Sequence, residues 1–338
     1  MTDSYRVAIL GGGSFGTAIA NICADNGHDV RLWLRNEARA QEINQQHCNS
    51  HYLPDTPLNP SLKAFIDLEQ AVKDCDVVFV AVPSKSSREI ARSLAPLLGD
   101  DCCVISTTKG IEPGGFLLMS QVLREELPRA RLGVMSGPNL AKELASREIT
   151  ATVIASDDEA LNQRIQDLLR SSYFRVYSGH DMFGVELGGA LKNVYAIVSG
   201  MATALGCGTN TIALLLTRSL AEMTRFAVCK GADPMTFMGL SGIGDLFVTC
   251  TSPLSRNFRV GYALGEGRDL DAVVAELGQV AEGVNTLRLL KQQAAELDVY
   301  MPLVNGLYGI IYEERSIDEV VSEMMSAEQN LDVDFTEN

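Results

Sequence analysis

The chain has 338 residues, 46% apolar and 21% charged, which suits two domains with separate cores and is unlike a disordered chain. Its formal net charge of −15 excludes broad contact with nucleic acid or an anionic membrane, because both require a positive field. An anionic substrate then requires a local cluster of Lys and Arg inside an acidic protein.

The chain start, Met1 to Arg6, runs straight into an apolar stretch, without a charged leader and long apolar core. The densest apolar runs, Val77–Val82 and Ile212–Leu216, are far too short to span a bilayer. Eight cysteines are scattered without a C-x-x-C pair and read as reduced thiols, so the expected location is cytoplasmic, with no membrane insertion. His47, Cys48 and His51 lack a second cluster to complete a ligand set, and no metal is expected.

Apolar strand-like runs alternate with helical patterns up to about residue 180. The predicted strands are 6–10, 29–34, 63–66, 77–82, 103–107, 132–136, 151–155 and 175–177. The helices predicted between them include 14–26, 37–46, 87–98, 117–126 and 159–169. That alternation predicts a parallel sheet with helices on both faces. Beyond Asp181 strand signals nearly vanish, and helices are predicted over 183–204, 211–230, 287–296 and 317–325. Glycines and prolines from Pro234 to Pro302 read as turns and helix ends. The expectation is a doubly wound α/β domain over residues 1–180, then an all-α domain over 181–338. The acidic end, Asp332–Asn338, is expected to fray.

Directly after the first strand stand Gly11, Gly13 and Gly16 in G-x-G-x-x-G register. The first permits a tight turn, the second lets backbone approach a pyrophosphate, and the third lets helix pack on strand. Free N–H groups of the following helix complete an anion site, so the first domain reads as a Rossmann-type dinucleotide-binding fold. The second strand ends in Leu34-Arg35-Asn36, where NAD sites usually carry an acid. Arg35 suits a 2′-phosphate, which predicts that NADP(H) is accepted and leaves the NAD/NADP balance open; the competing reading is a solvated surface arginine.

Lys109 follows the predicted strand 103–107, at the strand end that borders ligands in such sheets, and a structural role competes equally. Lys192 and Asn193 sit in a helix apolar on nearly every face. A lysine there is paired, functional, or snorkelling to solvent; desolvation pulls its pKa toward neutrality, as proton transfer to a carbonyl oxygen requires. Gly188 and Gly189, one turn earlier, are read as clearing space for a ligand. Gly242-Ile243-Gly244-Asp245 is read as a mobile loop carrying a carboxylate, or as a helix cap. Ser255-Arg256-Asn257, also read as a loop, supplies a hydroxyl, a guanidinium and an amide that suit phosphate oxygens.

Together with Ser106–Gly110, Ser136–Glu143, Gly239–Asp245 and Val280–Gly283, these segments resemble the NAD(P)-dependent glycerol-3-phosphate dehydrogenase family, bacterial type, along nearly the whole chain. The resemblance implies hydride transfer between NAD(P)H and dihydroxyacetone phosphate, giving sn-glycerol 3-phosphate for glycerophospholipid synthesis. It implies that Ser14, Phe15, Arg35, Tyr52, Lys109, Ala141, Arg256, Val280 and Glu282 contact cofactor alongside the glycines. Substrate would meet Lys109, Gly137, Asn139, Lys192, Asp245, Ser255, Arg256 and Asn257, with Lys192 the proton acceptor in oxidation. Asn139 departs from the Ser or Thr usual at its place, and Phe15 stands where many members carry Trp.

The competing enzyme reading is a β-hydroxyacid or 6-phosphogluconate dehydrogenase, whose Asn one turn after the lysine is here Ala196. A rival of another class is a non-catalytic dinucleotide-sensing protein, which needs neither Lys192 nor the Ser255–Asn257 segment. Apolar helices in the second domain make a homodimer the expected assembly.

Overall fold

Eight short segments pair side by side into one sheet: β1 (Arg6–Leu10), β2 (Asp29–Trp33), β3 (Lys63–Phe65), β4 (Val77–Val80), β5 (Cys103–Ser106), β6 (Arg131–Ser136), β7 (Thr150–Ala155) and β8 (Phe174–Gly179). The structure, a computed structural model, describes residues 4–276 and 282–326. Val280 and the acidic end expected to fray lie outside the described residues. The strand order is β3-β2-β1-β4-β5-β6-β7-β8, so the winding direction reverses between β1 and β4.

Alternating side chains divide between the two faces of the sheet. Val7, Ile9, Val77, Phe79 and Ile105 pack on one side with Ile19, Ile43 and Leu161. Those three come from helices α1 (Ser14–Asp25), α2 (Glu37–Gln46) and α7 (Glu159–Leu169). Ala8, Leu10, Val78, Val80 and Val104 pack on the other side with Ala71, Ile90 and Leu123. These belong to α3 (Leu68–Val72), α4 (Ser84–Leu94) and α5 (Met119–Glu126). Burial on both faces is why the central strands carry unbroken apolar runs. The helix ends have local causes: Asn36 caps α2 by accepting the Arg39 N–H, and Asp158 caps α7 by accepting the Leu161 N–H.

One pairing departs from the expected parallel sheet, because β6 and β7 run antiparallel. Their connection contains only α6 (Ala141–Ala145). Five helical residues rise about 7–8 Å, too little to cross back along a six-residue strand of about 20 Å. The chain therefore turns at the end of β6 and returns beside it. Asn139 holds this turn, donating to Ala151 O at 3.0 Å.

After β8 the described residues form no strand. The elements are α8 (Met182–Ala204), α9 (Thr209–Cys229), a 3-10 turn (Pro234–Met238), a π turn (Leu240–Gly244), α10 (Asp245–Thr251), α11 (Arg256–Gly265), α12 (Leu270–Glu276), α13 (Glu282–Glu296), α14 (Pro302–Tyr312) and α15 (Ile317–Ser326). Pro234 and Pro302, read as turns or helix ends, stand at helix starts in first-turn positions, where the missing N–H costs nothing. No helix among the described residues is long and apolar enough to cross a membrane.

The chain forms two compact units. One comprises Met1–Thr108 and Leu117–Glu186; the other comprises Lys109–Phe116 and Leu187–Asn338. Lys109 thus belongs with the helices rather than with the sheet whose strand it follows.

Candidate active site

The glycine turn after β1 is shaped by close approach. At Gly11, with φ of +124°, a Cβ would stand 2.4 Å from Ala81 O, just beyond β4, and at Gly16 one would stand 2.0 Å from Gly11 O. A Cβ on Gly13 would meet nothing within 4 Å, so the second glycine faces open space. Gly13 is also the N-cap of α1 and brings no side-chain acceptor to its first-turn N–H groups. Open space before a helix N-terminus without a side-chain cap fits a pyrophosphate, and these residues therefore fit a dinucleotide.

Neighbouring groups fix this turn. Ser14 donates its hydroxyl to Tyr52 O at 3.1 Å, which brings together two residues separated by 38 positions. Phe15 packs partly buried against the sheet core. Asn49, missed in the sequence, is fully buried and donates to Gly12 O at 3.1 Å and to Thr17 Oγ1 at 2.9 Å. Arg35 follows β2 with a side chain 61% exposed, 3.6 Å from Glu89 Oε2 and 5.9 Å from the Trp33 ring. A second cation also lies here: the Arg39 guanidinium sits 4.6 Å from the Tyr52 ring centre. Gly137 is packed against β7, where a Cβ would stand 3.0 Å from Thr152 Cα, and Ala141 opens α6.

His47, Cys48 and His51 do not gather as ligands. Cys48 donates to Glu42 Oε1 and His51 packs edge-on against Tyr52. No group of three or more His, Cys, Asp or Glu suited to a metal occurs among the described residues.

In the helical unit the chemistry gathers around one carboxylate. Lys192 lies on α8, whose side chains from Val185 to Ile197 are almost all buried. It does not snorkel: its side chain is 7% exposed, and Nζ donates to Asp245 Oδ1 at 2.6 Å and to the Thr249 hydroxyl. The Lys109 Nζ donates to the other carboxylate oxygen, Oδ2, at 2.6 Å. Two ammonium groups on one carboxylate leave the group net positive, a local exception in an acidic protein. Burial lowers the Lys192 pKa to about 8; the Lys109 charge pushes the same way and Asp245 opposes both.

Asp245 is not on the mobile loop expected for it. It opens α10 directly after the π turn, and its carboxylate faces the lysines instead of capping the helix. Gly242 is required by contact, since a Cβ there would stand 2.1 Å from Phe237 O. Gly188 clears room for protein rather than ligand: its Cβ would stand 2.8 Å from Ser241 O. Thr249, also missed in the sequence, follows Asp245 by one helical turn and so shares its face.

Ser255, Arg256 and Asn257 are likewise not a loop. Ser255 is the N-cap of α11 and its Oγ accepts the Phe258 N–H at 3.3 Å, while Arg256 is exposed in the first turn. Asn257 is buried and donates to Asn193 Oδ1 at 2.9 Å. Asn193 in turn donates to Lys109 O at 3.4 Å, and Gly283 N donates to Asn257 Oδ1 at 3.1 Å. One hydrogen-bonded chain thus joins the backbone at Lys109, α8, α11 and the start of α13, where Glu282 stands.

Comparison with known proteins matches this arrangement across both units. Family models described as the NAD-dependent glycerol-3-phosphate dehydrogenase N-terminus and C-terminus match residues 6–162 and 181–322. Glycerol-3-phosphate dehydrogenase [NAD(P)+] of Teredinibacter turnerae is 56% identical, with 99% of this chain and 98% of that one covered. Its counterpart from Saccharophagus degradans is 54% identical, covering 99% and 94%. Among solved structures, the glycerol-3-phosphate dehydrogenase of Coxiella burnetii superposes with a TM-score of 0.90 at 35% identity, covering 96% and 99%. With both halves matched in order and relatives alike along nearly their full length, the chain belongs to the NAD-dependent glycerol-3-phosphate dehydrogenase family.

Proposed function

We propose that this chain interconverts dihydroxyacetone phosphate and sn-glycerol 3-phosphate with NADP(H) or NAD(H). The observation that carries the reading is the buried Asp245 carboxylate gripped by Lys109 and Lys192, with the Lys192 pKa near 8. When bound, the nicotinamide supplies or receives the hydride at carbon 2 of the three-carbon phosphate. Gly11, Gly13, Ser14, Phe15, Gly16 and Tyr52 hold the dinucleotide, and Arg35 meets a 2′-phosphate where one is present. Ala141, Val280 and Glu282 complete that set.

The ketone oxygen gains negative charge as reduction proceeds, and the Lys192 ammonium delivers a proton to it. In oxidation the neutral Lys192 amine takes the proton from the hydroxyl. Asp245 fixes the direction in which Nζ points and Thr249 holds it from the side, so the proton is delivered from a prepared position. Lys109, Arg256 and Asn257 neutralise and orient the phosphate end, with Ser255 beside them. In this reading residues 1–180 supply most of the cofactor contacts and residues 181–338 most of the substrate and catalytic ones. The enzyme acts in the cytoplasm, supplying glycerol phosphate for phospholipid synthesis, as a homodimer. The dimer is supported by apolar side chains exposed on the helical unit, Leu214 at 52% and Phe247 at 57% among them.

The test follows absorbance at the nicotinamide band with dihydroxyacetone phosphate and either NADPH or NADH. Turnover supports the reading, and the ratio of the two rates reads cofactor choice. Turnover only with a β-hydroxyacid or 6-phosphogluconate supports the rival enzyme, and NADPH binding without turnover on any of them supports a sensor.

A further inference from the structure

Glu186 has no part in the chemistry above, yet it is 2% exposed and held by hydroxyl and amide donors. The Ser106 hydroxyl donates to Oε1 at 3.1 Å. The Ser120 N–H reaches both oxygens, at 3.0 and 3.1 Å, and the Ser120 hydroxyl donates to Oε2 in a short contact. Ser120 lies in the first turn of α5, whose N-cap Leu118 has no side-chain acceptor, so Glu186 caps that helix from a distance. Burial raises the Glu186 pKa to about 7, a standing cost that a neutral side chain of similar volume would avoid.

The positions of its partners give a carboxylate there a use. The chain passes from one compact unit to the other after Thr108, after Phe116 and after Glu186. Ser106 lies two residues before the first passage, Ser120 stands just beyond the second, and Glu186 is the last residue before the third. One carboxylate therefore fastens the sheet-side ends of all three. Two of these passages lead directly to the lysines: Lys109 is three residues beyond Ser106, and Lys192 lies on α8, the helix that carries Glu186.

We propose that Glu186 is a positioning residue that sets where Lys109 and Lys192 stand, by tying β5, α5 and the start of α8 together at the points where the chain leaves the sheet unit. The proposal rests on the reading that these lysines serve the reaction. Loss of the tie lets the lysine-bearing segments drift, and a displacement of about 1 Å in such groups costs on the order of a hundredfold in rate. The glycine turn is fastened by other groups, Asn49 and Tyr52, and does not depend on Glu186.

The experiment compares wild type with Glu186→Leu, Glu186→Gln and Ser106→Ala. In Glu186→Leu, kcat for dihydroxyacetone phosphate falls roughly tenfold or more while the NADPH Kd, read by nucleotide fluorescence, stays within about twofold. Glu186→Gln keeps an acceptor for the Ser120 N–H and restores most of the turnover. Ser106→Ala, which removes only the β5 tie, loses part of kcat at nearly unchanged melting temperature and keeps the test open should the leucine variant fold poorly. Amide hydrogen exchange over 107–110 and 187–193 rises in Glu186→Leu without any substrate. The proposal is overturned by unchanged exchange there, by wild-type kcat in folded Glu186→Leu or Ser106→Ala, or by parallel loss of NADPH affinity and kcat in Glu186→Gln. Inactivity of the wild type itself sinks the functional reading, leaving the exchange measurement to decide this one.

Discussion

Lys192 is subject to opposed influences on its proton, and their balance sets a testable pH dependence. Burial and Lys109 favour the neutral amine, while Asp245 favours the ammonium, and the result lies near 8. With Lys192 as the proposed proton carrier, oxidation of glycerol 3-phosphate needs the neutral amine, and its kcat/KM is expected to rise with pH and level off above about 8. Reduction needs the ammonium and falls over the same range. Asp245→Asn removes the influence that holds the proton on, so the inflection moves below that of wild type; an inflection that stays or rises contradicts the assignment. Lys192→Ala should lower turnover by roughly 10²–10⁴, the usual worth of a positioned proton donor, with NADPH affinity nearly kept. Arg35→Asp tests cofactor choice: the NADPH KM rises and the NADH KM changes little, because the exposed Arg35 side chain has only the 2′-phosphate to distinguish the two. An unchanged NADPH KM removes Arg35 from recognition.

Among the elements, the π turn and α10 decide where Asp245 stands. Gly242 is pressed against backbone, with Phe237 O at 2.1 Å and Phe237 Cα at 2.3 Å from a Cβ placed there. Backbone yields far less than a side chain, so Gly242→Ala must push the turn away and carry Asp245, three residues on, out of line. The expected cost is roughly 1–3 kcal/mol in chemical denaturation, as for other overpacked sites, with a larger proportional loss of kcat. Equal kcat at reduced stability would show that the turn does not set the carboxylate. This element also marks where sequence reading stops. The β1–glycine–α1 unit is legible because a strand, three glycines and a helix stand consecutively and each has a local cause. The bounds of α2 and α7 are legible because Glu37 and Glu159 follow the capping residues Asn36 and Asp158. Gly242 and Gly244 look like a loop for the opposite reason: the contact that requires Gly242 is tertiary, and glycine-rich text alone does not distinguish mobility from tight packing. The same limit hides Thr249, Asn49 and the antiparallel β7. What makes each of them matter is a partner outside its own local stretch of pattern, or, for Thr249, a helix whose sequence reads as loop. Lys192 stands out because an ionic residue in an apolar helix is anomalous locally; Glu186, near the start of the same helix, draws less notice because its partners lie on other elements.

Across the molecule, two buried carboxylates impose a pH dependence on stability opposite to the usual acid unfolding. Glu222 caps α14 from a distance, accepting the Leu303 N–H at 2.7 Å and the Tyr195 hydroxyl at 3.3 Å, and burial raises its pKa to about 8. Glu186, which caps α5, is raised to about 7. Both have folded-state values above the ordinary 4.5, so between pH 4.5 and 8 the folded chain binds more protons than the unfolded one. Stability from these groups is fully present below pH 4.5 and is lost as pH rises through 7 and then 8. The loss is on the order of a few kcal/mol for each group, since each tenfold difference in proton affinity between the folded and unfolded chain is worth about 1.4 kcal/mol. Asp158 and Glu126, lowered by their arginine partners, act in the other direction but only below their ordinary range, outside this window. Thermal melting from pH 5.5 to 8.5 should therefore show a falling midpoint in wild type. Glu222→Gln keeps a carbonyl for the Leu303 N–H and cannot ionise, so its midpoint should fall less steeply and exceed that of wild type at pH 8.5. The difference between the two profiles cancels every other titrating group, including His28, whose burial lowers its pKa and raises stability with pH. Parallel profiles would mean that Glu222 carries the same charge folded and unfolded, and that the capping of α14 needs no proton.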